Sequence, residues 1–315
     1  MKRVRTRAMQ PCADERRKPM KLSFPIGYLR ERYGLERAFG MVKDAGFDAV
    51  DFDLCMMEKP ESVFNGPDWQ EHAAEVRRIA DAHGVPINQT HAPFHFKPEQ
   101  WEDRPFVLDM FERYLAITGI LGAEVGVVHP LHYFAYEGHA EEIFEKNMRY
   151  YGDLIPAAKQ AGVKIGVENM WQRDPRRKIM FYDVCSEAAE FVRYIDTLNS
   201  DAIVACLDIG HVGLVPQRDE AWDVIRALGH DRLHSLHVHD NDYCGDQHMV
   251  PYTGKIDWAE VTRALGEIDY DGDFTYETSS ALLRNMDDRI LPTGLKFMVD
   301  DGRHLMTLVD ENRPK

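Results

Sequence analysis

The sequence lacks the cysteine pattern and the long apolar runs that are typical of secreted and membrane-spanning proteins. It contains five cysteines in 315 residues, an odd number, and no two of them are spaced as a C-x-x-C pair. This use of cysteine indicates reduced thiols in a cytoplasm rather than a disulfide framework. Since no run approaches the ~20 apolar residues of a membrane span, we predict a cytoplasmic protein that does not cross a membrane.

Positive charge is also scarce, because 38 lysines and arginines stand against 53 acidic residues, for a formal net charge of −15 at pH 7. A broad nucleic-acid surface requires an excess of basic side chains, so we predict that nucleic acid is not a partner. The first nineteen residues are the exception, with seven basic and two acidic side chains. We predict that residues 1–19 form a mobile basic tail and that residues 20–315 form a single domain.

Short apolar runs alternate with amphipathic stretches along this domain. Eight runs are predicted to be strands: 22–27, 49–54, 86–91, 125–129, 164–168, 203–208, 233–239 and 273–277. Seven stretches between them are predicted to be helices: 35–45, 68–83, 106–121, 141–161, 185–198, 219–228 and 257–267. The alternation indicates a parallel sheet, and eight units indicate closure into a (β/α)8 TIM barrel of the α/β class.

Glycine follows several of these units at the point where a helix is expected to end. A residue with a left-handed backbone commonly terminates a helix, and glycine adopts that conformation without steric cost. The glycines predicted to end helices in this way are Gly46, Gly84, Gly122, Gly162 and Gly272. No shift in composition after residue 20 indicates a linker, which agrees with one domain.

Six successive strands end in a side chain that can bind a metal ion. These residues lie 29 to 40 positions apart, close to one strand–helix unit each: His91, His129, Glu168, Asp208, His237 and Glu277. Because equivalent strand ends of a closed barrel converge on its C-terminal mouth, residues remote in sequence meet there. Imidazole and carboxylate together suit Zn, Mn, Fe or Co better than Ca or Mg alone. The sequence therefore predicts a metal centre at this mouth.

Each of these residues, taken alone, has an ordinary structural explanation. A single histidine after a strand, such as His91 or His129, is more often a satisfied core or loop residue. Asp208 and His211 in the run CLDIGH match a helix N-cap with a nearby histidine. A carboxylate that follows several apolar residues, such as Glu168, is poorly tolerated unless it is paired. The coincidence of six such residues in consecutive units favours the metal centre.

From about residue 21 to 300, the chain resembles the sugar phosphate isomerase/epimerase family of xylose-isomerase-like TIM barrels, within the AP-endonuclease family 2 superfamily. The motifs that carry the resemblance are THAP, VVHP, GVEN, LDIGH, LHVHDND, DQH, GKIDW and YE. The resemblance implies one divalent ion (Mn or Zn, alternatively Mg, Co or Fe) with four ligands: Glu168, Asp208, His237 and Glu277. Its nuclease-like members hold three zinc ions, and this chain has five further candidates for such a site: His91, His129, His211, Asp246 and His248.

The resemblance also implies an activity, that of a metal-dependent isomerase or epimerase acting on a sugar, a sugar derivative or a keto-acid. The expected mechanism is proton transfer through an enediolate, with Glu168 and Glu277 as the two catalytic residues. His211, Trp171 and Arg173 are expected to bind the substrate. A small-molecule carbohydrate is the expected partner, no nucleotide cofactor is expected, and the chain is a candidate homo-oligomer.

Two interpretations stay open for each of three features of the sequence. The basic segment that follows the fifth predicted strand is either a substrate lid or a solvated loop. The segment Phe94–Phe96 either lines the pocket or only packs its own loop. His239 competes with His237 for one ligand position, and the distance to Asp240 favours His237.

Two other functions agree with the same residues. Nine candidate ligands favour a multinuclear zinc phosphoesterase or an AP-endonuclease-like hydrolase, because several zinc ions stabilise both the attacking and the leaving oxygen. The acidic composition favours a small substrate over duplex DNA for such an enzyme. A non-catalytic sugar-binding barrel is the other alternative, but it would not need the carboxylates of Glu168 and Glu277.

Overall fold

The computed structural model describes residues 18–93, 104–132, 135–174, 176–214, 219–278 and 280–314. Ten strands lie within these ranges: β1 Leu22–Pro25, β2 Ala49–Asp53, β3 Ile87–His91, β4 Val125–Val128, β5 Lys164–Glu168, β6 Trp171–Arg173, β7 Met180–Tyr182, β8 Ile203–Asp208, β9 Leu233–His237 and β10 Phe274–Thr275.

Eight of these strands form one parallel sheet in the order β10-β1-β2-β3-β4-β5-β8-β9. A parallel bridge between Val238 and Tyr276 joins the two ends of this order, so the sheet is a nearly closed barrel. All eight predicted strands are present, and the predicted (β/α)8 fold is confirmed. The predicted bounds were too long for the first strand and the last two. After His237, only the single bridge at Val238 continues the pairing.

The helices lie around this barrel. In chain order they are α1 Gly27–Tyr33, α2 Leu35–Ala45, α3 Trp69–His83, α4 Arg104–Leu121, α5 Ala140–Ala161, α6 Ala188–Leu198, α7 Ile209–Val212, α8 Ala221–Arg232, α9 Trp258–Glu267, α10 Ser280–Leu283 and α11 Leu291–Glu311. The seven predicted helices are confirmed to within four residues at each end. The two longer helices α1 and α11 and the single-turn helices α7 and α10 were not predicted from the sequence.

Helical periodicity explains how the helices cover the strands. In α6 the buried side chains recur at intervals of three and four residues, which places them on one face of the helix: Ala188, Phe191, Tyr194 and Ile195. Such faces join the outward side chains of the strands in one large apolar core. A separate small cluster fills part of the barrel interior: Val125, Val127, Val204 and Cys206. Both faces of the strands are therefore buried, as in other parallel barrels.

Four of the five predicted helix-ending glycines have a left-handed backbone: Gly46, Gly84, Gly122 and Gly162. The prediction for Gly272 was wrong. The preceding helix α9 ends at Glu267, and Asp269 carries the left-handed backbone instead. Gly272 is required for a different reason, because a Cβ there would lie 2.4 Å from the carbonyl oxygen of His234. The strand β9 approaches too closely for any side chain at this position.

Two further regions bear on the sequence predictions. The basic segment after β5 is not an irregular loop, because β6 and β7 pair as an antiparallel hairpin above the barrel.

Residues 1–17 lie outside the described ranges, so the basic tail at 1–19 stays a prediction. The structure does describe Lys18, whose Nζ lies 3.3 Å from Glu124 Oε2. In the described part of the chain, every helix is too short or too polar to cross a membrane.

We expect Gly272→Ala to lower the free energy of unfolding by about 1–3 kcal/mol, because the new methyl group overlaps the backbone of β9. Chemical denaturation measures the change. Gly152→Ala is the matched control, since Gly152 lies in α5 and the space that its new methyl group would occupy is open. The control is expected to be neutral or to stabilise by up to about 1 kcal/mol. Equal stability of the two variants would contradict the close approach.

Candidate metal centre at the barrel mouth

The C-terminal ends of the strands carry the predicted ligands to one mouth. His91 is the last residue of β3, Glu168 of β5, Asp208 of β8 and His237 of β9. The sheet register pairs Asp208 with His237 directly. Glu277 follows β10 and donates its backbone N–H to the carbonyl of Val238, which ties it to the same rim. The barrel closure therefore explains why these residues meet.

The four residues of the predicted one-ion site form a compact group. Their ligand atoms lie within 4.8 Å of one another: Glu168, Asp208, His237 and Glu277. The Nδ1 atom of His237 is central, at 3.1 Å from Glu168 Oε1, 3.3 Å from Glu277 Oε2 and 3.9 Å from Asp208 Oδ2. We call these four residues the inner group.

A second set of candidate ligands shares Asp208 with the inner group. Its members are Asp208, His211, His239, Asp246 and His248, and we call them the outer group. His239 Nε2 lies 3.0 Å from Asp208 Oδ1, and His248 Nε2 lies 3.1 Å from Asp246 Oδ2. The rings of His239 and His248 stack with centroids 4.3 Å apart. Three of the further candidates that the sequence offered therefore lie together in the structure: His211, Asp246 and His248.

His239 lies in the outer group, whereas its sequence position suggested only an alternative to His237. The two histidines occupy adjacent groups, and both side chains are fully buried. The spacing His-x-His was a usable signal, because residues two apart in an extended segment point to the same face. Both histidines therefore face the barrel axis, one beside Glu168 and the other beside Asp208.

His91 and His129 flank the inner group on the side of β3 and β4. Their Nε2 atoms lie 3.2 Å apart, and His129 Nε2 is 3.0 Å from Glu168 Oε2. His91 Nε2 lies 3.6 Å from the same oxygen, and His91, Glu168 and His237 also form a group with metal-ligand spacing. Glu168 is therefore common to two groups, just as Asp208 is.

Three histidines are oriented by the backbone. The Nδ1–H of His91 donates to the carbonyl of Ala92 at 2.8 Å, that of His211 to Asn169 at 2.8 Å, and that of His248 to Glu277 at 2.6 Å. This bond selects the tautomer whose Nε2 carries a lone pair, which is the arrangement that proteins use for metal-binding histidines. In each case Nε2 faces a carboxylate of the mouth.

The residues fit a divalent cation. Glu277 Oε2 and Asp246 Oδ1 are buried without a hydrogen-bond partner among the described residues, and such atoms are rare because they cost several kcal/mol. Ligand atoms of Asp208 and Glu277 lie within 4.8 Å of each other, and a cation between two carboxylates this close relieves their repulsion. Imidazole nitrogens with carboxylate oxygens are the donors that Zn, Mn, Fe and Co prefer.

The pKa values of this cluster diverge. Burial raises the pKa of the Glu277 carboxyl to about 7, against the opposing effect of His237 and His248. Burial also disfavours the charged form of Glu168, but the neighbouring His237 and His129 outweigh it and hold that pKa well below its usual range. The two glutamates therefore differ in how readily each takes up a proton.

The predicted substrate-binding residues lie at different depths. The ring of Trp171 is 6.2 Å from that of His211, so Trp171 borders the outer group. Arg173 shares the same face of β6 but its side chain is exposed. Its contact with substrate stays a prediction. The segment Phe94–Phe96 lies outside the described residues.

The fold and this cluster define a parallel α/β barrel with buried imidazole and carboxylate groups at its C-terminal mouth. A family model described as the xylose isomerase-like TIM barrel matches residues 39–300. The chain belongs to this family, which confirms the relationship that the sequence motifs indicated.

Among curated relatives, an uncharacterized protein of Methanocaldococcus jannaschii is 30% identical over 194 residues, which cover 60% of this chain and 64% of that protein. D-psicose 3-epimerase of Enterocloster bolteae is 31% identical over 128 residues, or 40% of this chain and 36% of the enzyme. Both matches span less than two thirds of the relative's length. A crystal structure of D-psicose 3-epimerase in the presence of D-fructose shares the fold, with a TM-score of 0.69 and 18% identity over 91% of this chain and 99% of that one.

We expect the protein to bind at least two divalent ions per chain, and Asp246→Asn to bind one fewer. Asp246 belongs only to the outer group, whereas Asp208→Asn removes a ligand that both groups share. Metal content after equilibration with Mn²⁺ or Zn²⁺ and gel filtration measures this. Saturation at 100 times the dissociation constant should stabilise the wild type by about 2.7 kcal/mol.

The exposed surface variant Asp196→Asn is the control, because Asp196 only pairs with Arg232 on the outer surface. An unchanged metal count in Asp246→Asn would show that the outer group holds no ion. A wild type without any bound ion would contradict the metal centre as a whole.

Glu190, which lies outside the ligand groups, makes the free energy of unfolding depend on pH. It accepts a short hydrogen bond from the Tyr136 hydroxyl, and burial raises its pKa to about 7. Because the folded-state pKa exceeds the usual 4.5, the folded protein holds a proton that the unfolded chain has lost. The stabilisation is complete below about pH 4.5 and declines as the pH rises through 7.

We therefore expect the difference in unfolding free energy between the wild type and Glu190→Gln to fall by about 1–2 kcal/mol from pH 5 to pH 8. The full pKa shift of Glu190 would give a larger change in free energy, but solvent screens part of it because the side chain is partly exposed. Urea denaturation of both proteins at each pH provides the measurement. A difference that rises or stays constant with pH is the contrary result.

Proposed function

We propose that this protein is a metal-dependent isomerase or epimerase that acts on a carbohydrate or a keto-acid. One observation carries the proposal: Glu168 and Glu277, from opposite parts of the chain, both lie within 3.3 Å of the same nitrogen of His237. Two carboxylates that share one centre suit a reaction in which one removes a carbon-bound proton and the other returns it. The partial similarity to D-psicose 3-epimerase supports this class of reaction.

The inner group is the proposed ion site, with Mn²⁺ or Zn²⁺ as the first candidates and Mg²⁺, Co²⁺ or Fe²⁺ as alternatives. When bound, a divalent ion there supplies Lewis-acid polarisation of the substrate's carbonyl and adjacent hydroxyl oxygens. No nucleotide cofactor is part of the proposal.

The two glutamates differ in access to the substrate. The side chain of Glu277 is 23% exposed, whereas that of Glu168 is 1% exposed. In the proposed reaction one carboxylate takes the proton beside the carbonyl, the substrate passes through an enediolate, and the other carboxylate returns a proton. The more accessible Glu277 is the one that exchanges its proton with solvent between turnovers.

Other residues complete the proposed pocket. His211 donates through Nδ1 to a backbone carbonyl, so its Nε2 is available to a substrate oxygen or, with the outer group, to an ion. Trp171 forms an apolar border beside it, and Arg173 is the proposed cation for an acidic group of the substrate. A small-molecule carbohydrate is the proposed partner. The cytoplasmic location and a homo-oligomeric state remain predictions.

The outer group favours one alternative function, that of a multinuclear zinc phosphoesterase or AP-endonuclease-like hydrolase. Its five residues, together with His91 and His129 beside Glu168, offer ligands for ions in addition to the first. Adjacent ions stabilise both the attacking and the leaving oxygen of a phosphoester. The net charge of −15 favours a small phosphoester over duplex DNA as the substrate of such an enzyme.

Isotope exchange tests the main proposal. The Mn²⁺-loaded protein is incubated in D2O with a panel of ketoses, keto-acids and inosose-type cyclitols, and deuterium beside the carbonyl is measured by NMR. We expect exchange with at least one compound, and a loss of at least about 100-fold in Glu168→Gln and Glu277→Gln, because each removes a proton-transferring group. Metal content is measured for each variant, so that loss of the ion is separated from loss of the base.

Glu141→Gln is the control, since Glu141 only pairs with Arg193 on the outside of the barrel. Full exchange activity in a metal-loaded Glu277→Gln variant contradicts the proposed role of the two glutamates. If the metal-loaded wild type exchanges no compound of the panel but nicks abasic-site DNA or cleaves a small phosphoester, the hydrolase is the better assignment.

A further inference from the structure

A histidine and a buried aspartate form a hydrogen-bonded pair beside the ligand groups but outside both of them. His132 lies in the segment after β4, and Asp183 directly follows β7. The Nδ1–H of His132 donates to Asp183 Oδ2 at 2.9 Å. The side chain of Asp183 is fully buried, whereas that of His132 is 31% exposed. The pair therefore has one end in the protein interior and the other at the surface of the mouth.

The carboxylate of Asp183 is held rigidly. Its Oδ1 atom accepts the backbone N–H of Val184 at 2.8 Å, which leaves Oδ2 for His132. The backbone N–H of Asp183 donates to the hydroxyl of Ser186, and that hydroxyl donates back to the carbonyl of Asp183. A carboxylate fixed in this way selects the His132 tautomer with a proton on Nδ1 and a lone pair on Nε2.

The exposed end of His132 lies near the proposed reaction centre. Its ring centroid is 6.1 Å from that of His129, whose Nε2 lies 3.0 Å from Glu168. His132 is thus one ring further out than the residues that flank the inner group. In barrels of this type, the segments that follow the strands at the C-terminal mouth contact the substrate.

Anchoring of the loop does not account for the pair, because other contacts already provide it. Gln172 on β6 donates to the carbonyl of His132 and accepts from the backbone N–H of Tyr136. The hydroxyl of Tyr136 is bonded to Glu190 on α6. Burying a carboxylate is costly, and a loop that these contacts already hold would gain little stability from one more hydrogen bond to a buried carboxylate.

We propose that His132, oriented by Asp183, binds a hydroxyl group of the substrate at a carbon beyond those held in the inner group. This inference rests on the proposed function and extends it to the substrate, which would be a polyhydroxylated chain longer than three carbons. The Nε2 atom of His132 accepts a hydrogen bond from the substrate hydroxyl, and the carboxylate of Asp183 stabilises the partial positive charge that this places on the ring. His132 is then a specificity-determining residue, and Asp183 is its positioning residue.

Calorimetric titration with ketoses of increasing length tests this inference. Dihydroxyacetone, L-erythrulose, D-ribulose and D-fructose are titrated into the Mn²⁺-loaded wild type, His132→Ala, His132→Gln and Asp183→Asn. We expect His132→Ala to weaken binding of the three ketoses longer than three carbons by about 3- to 10-fold and to leave dihydroxyacetone unchanged. His132→Gln keeps an acceptor of similar reach, so it should recover part of the loss. His139→Ala, an exposed histidine in the same loop, is the matched control.

A second readout begins with the wild-type chain, so its first part does not depend on whether a variant folds. Diethyl pyrocarbonate modifies accessible imidazole nitrogens, and peptide mass spectrometry identifies the modified histidine. We expect D-fructose to slow modification of His132 and dihydroxyacetone to have no effect. In Asp183→Asn we expect slower modification of His132 at unchanged metal content, because the ring loses the carboxylate that makes Nε2 nucleophilic, whereas a purely structural role of Asp183 would expose the ring and speed the modification.

The outcomes separate the two proposals. If the metal-loaded wild type binds longer ketoses and His132→Ala binds them equally well, the inference is overturned while the isomerase proposal stands. The same conclusion follows if D-fructose binds without protecting His132. If the metal-loaded wild type neither binds nor exchanges any ketose, the proposed function fails for ketoses and the inference fails with it.

Discussion

The buried carboxylate of Glu168 is the constraint on which the barrel mouth depends. It is 1% exposed and lies within 3.0 to 3.7 Å of four imidazoles, those of His91, His129, His211 and His237. A lone buried charge would cost several kcal/mol, so this carboxylate is tolerable only while its partners keep their positions. Those partners come from four separate segments of the chain, and barrel closure alone keeps them together. Fold stability and site geometry are therefore coupled at this residue.

Shared ligands organise the rest of the mouth. Glu168 connects the inner group to His91 and His129, and Asp208 connects it to the outer group. Backbone carbonyls then set the orientation of individual rings, so that the geometry is present before any ion or substrate arrives. Such preorganisation is what the proposed proton transfer needs, because small displacements of a base reduce the rate strongly. It also explains why one chain supports both an isomerase and a hydrolase interpretation, which differ mainly in how many of these groups hold an ion.

The rim around the centre is built differently from the centre itself. The hairpin β6–β7 and the segment after β4 are joined by side-chain contacts, in particular those of Gln172 with His132 and Tyr136 and that of the His132–Asp183 pair. Loops on a rigid barrel commonly vary in this way and determine which substrate is accepted, while the strand ends carry the chemistry. The solved epimerase structure, at 18% identity, shares the barrel fold.

The sequence by itself determined the eight strands, most of the helices and the row of imidazole and carboxylate side chains at the strand ends. These features depend on local periodicity and on the rule that parallel strands end at one mouth, both of which are visible along the chain. Only the tertiary structure decided that His239 joins the outer group, that Gly272 is needed for a close approach of β9, and that the segment after β5 is a hairpin. It alone also paired His132 with Asp183, 51 positions away in sequence. Each of these results depends on a distance between residues remote in sequence, which no local pattern of residue types specifies.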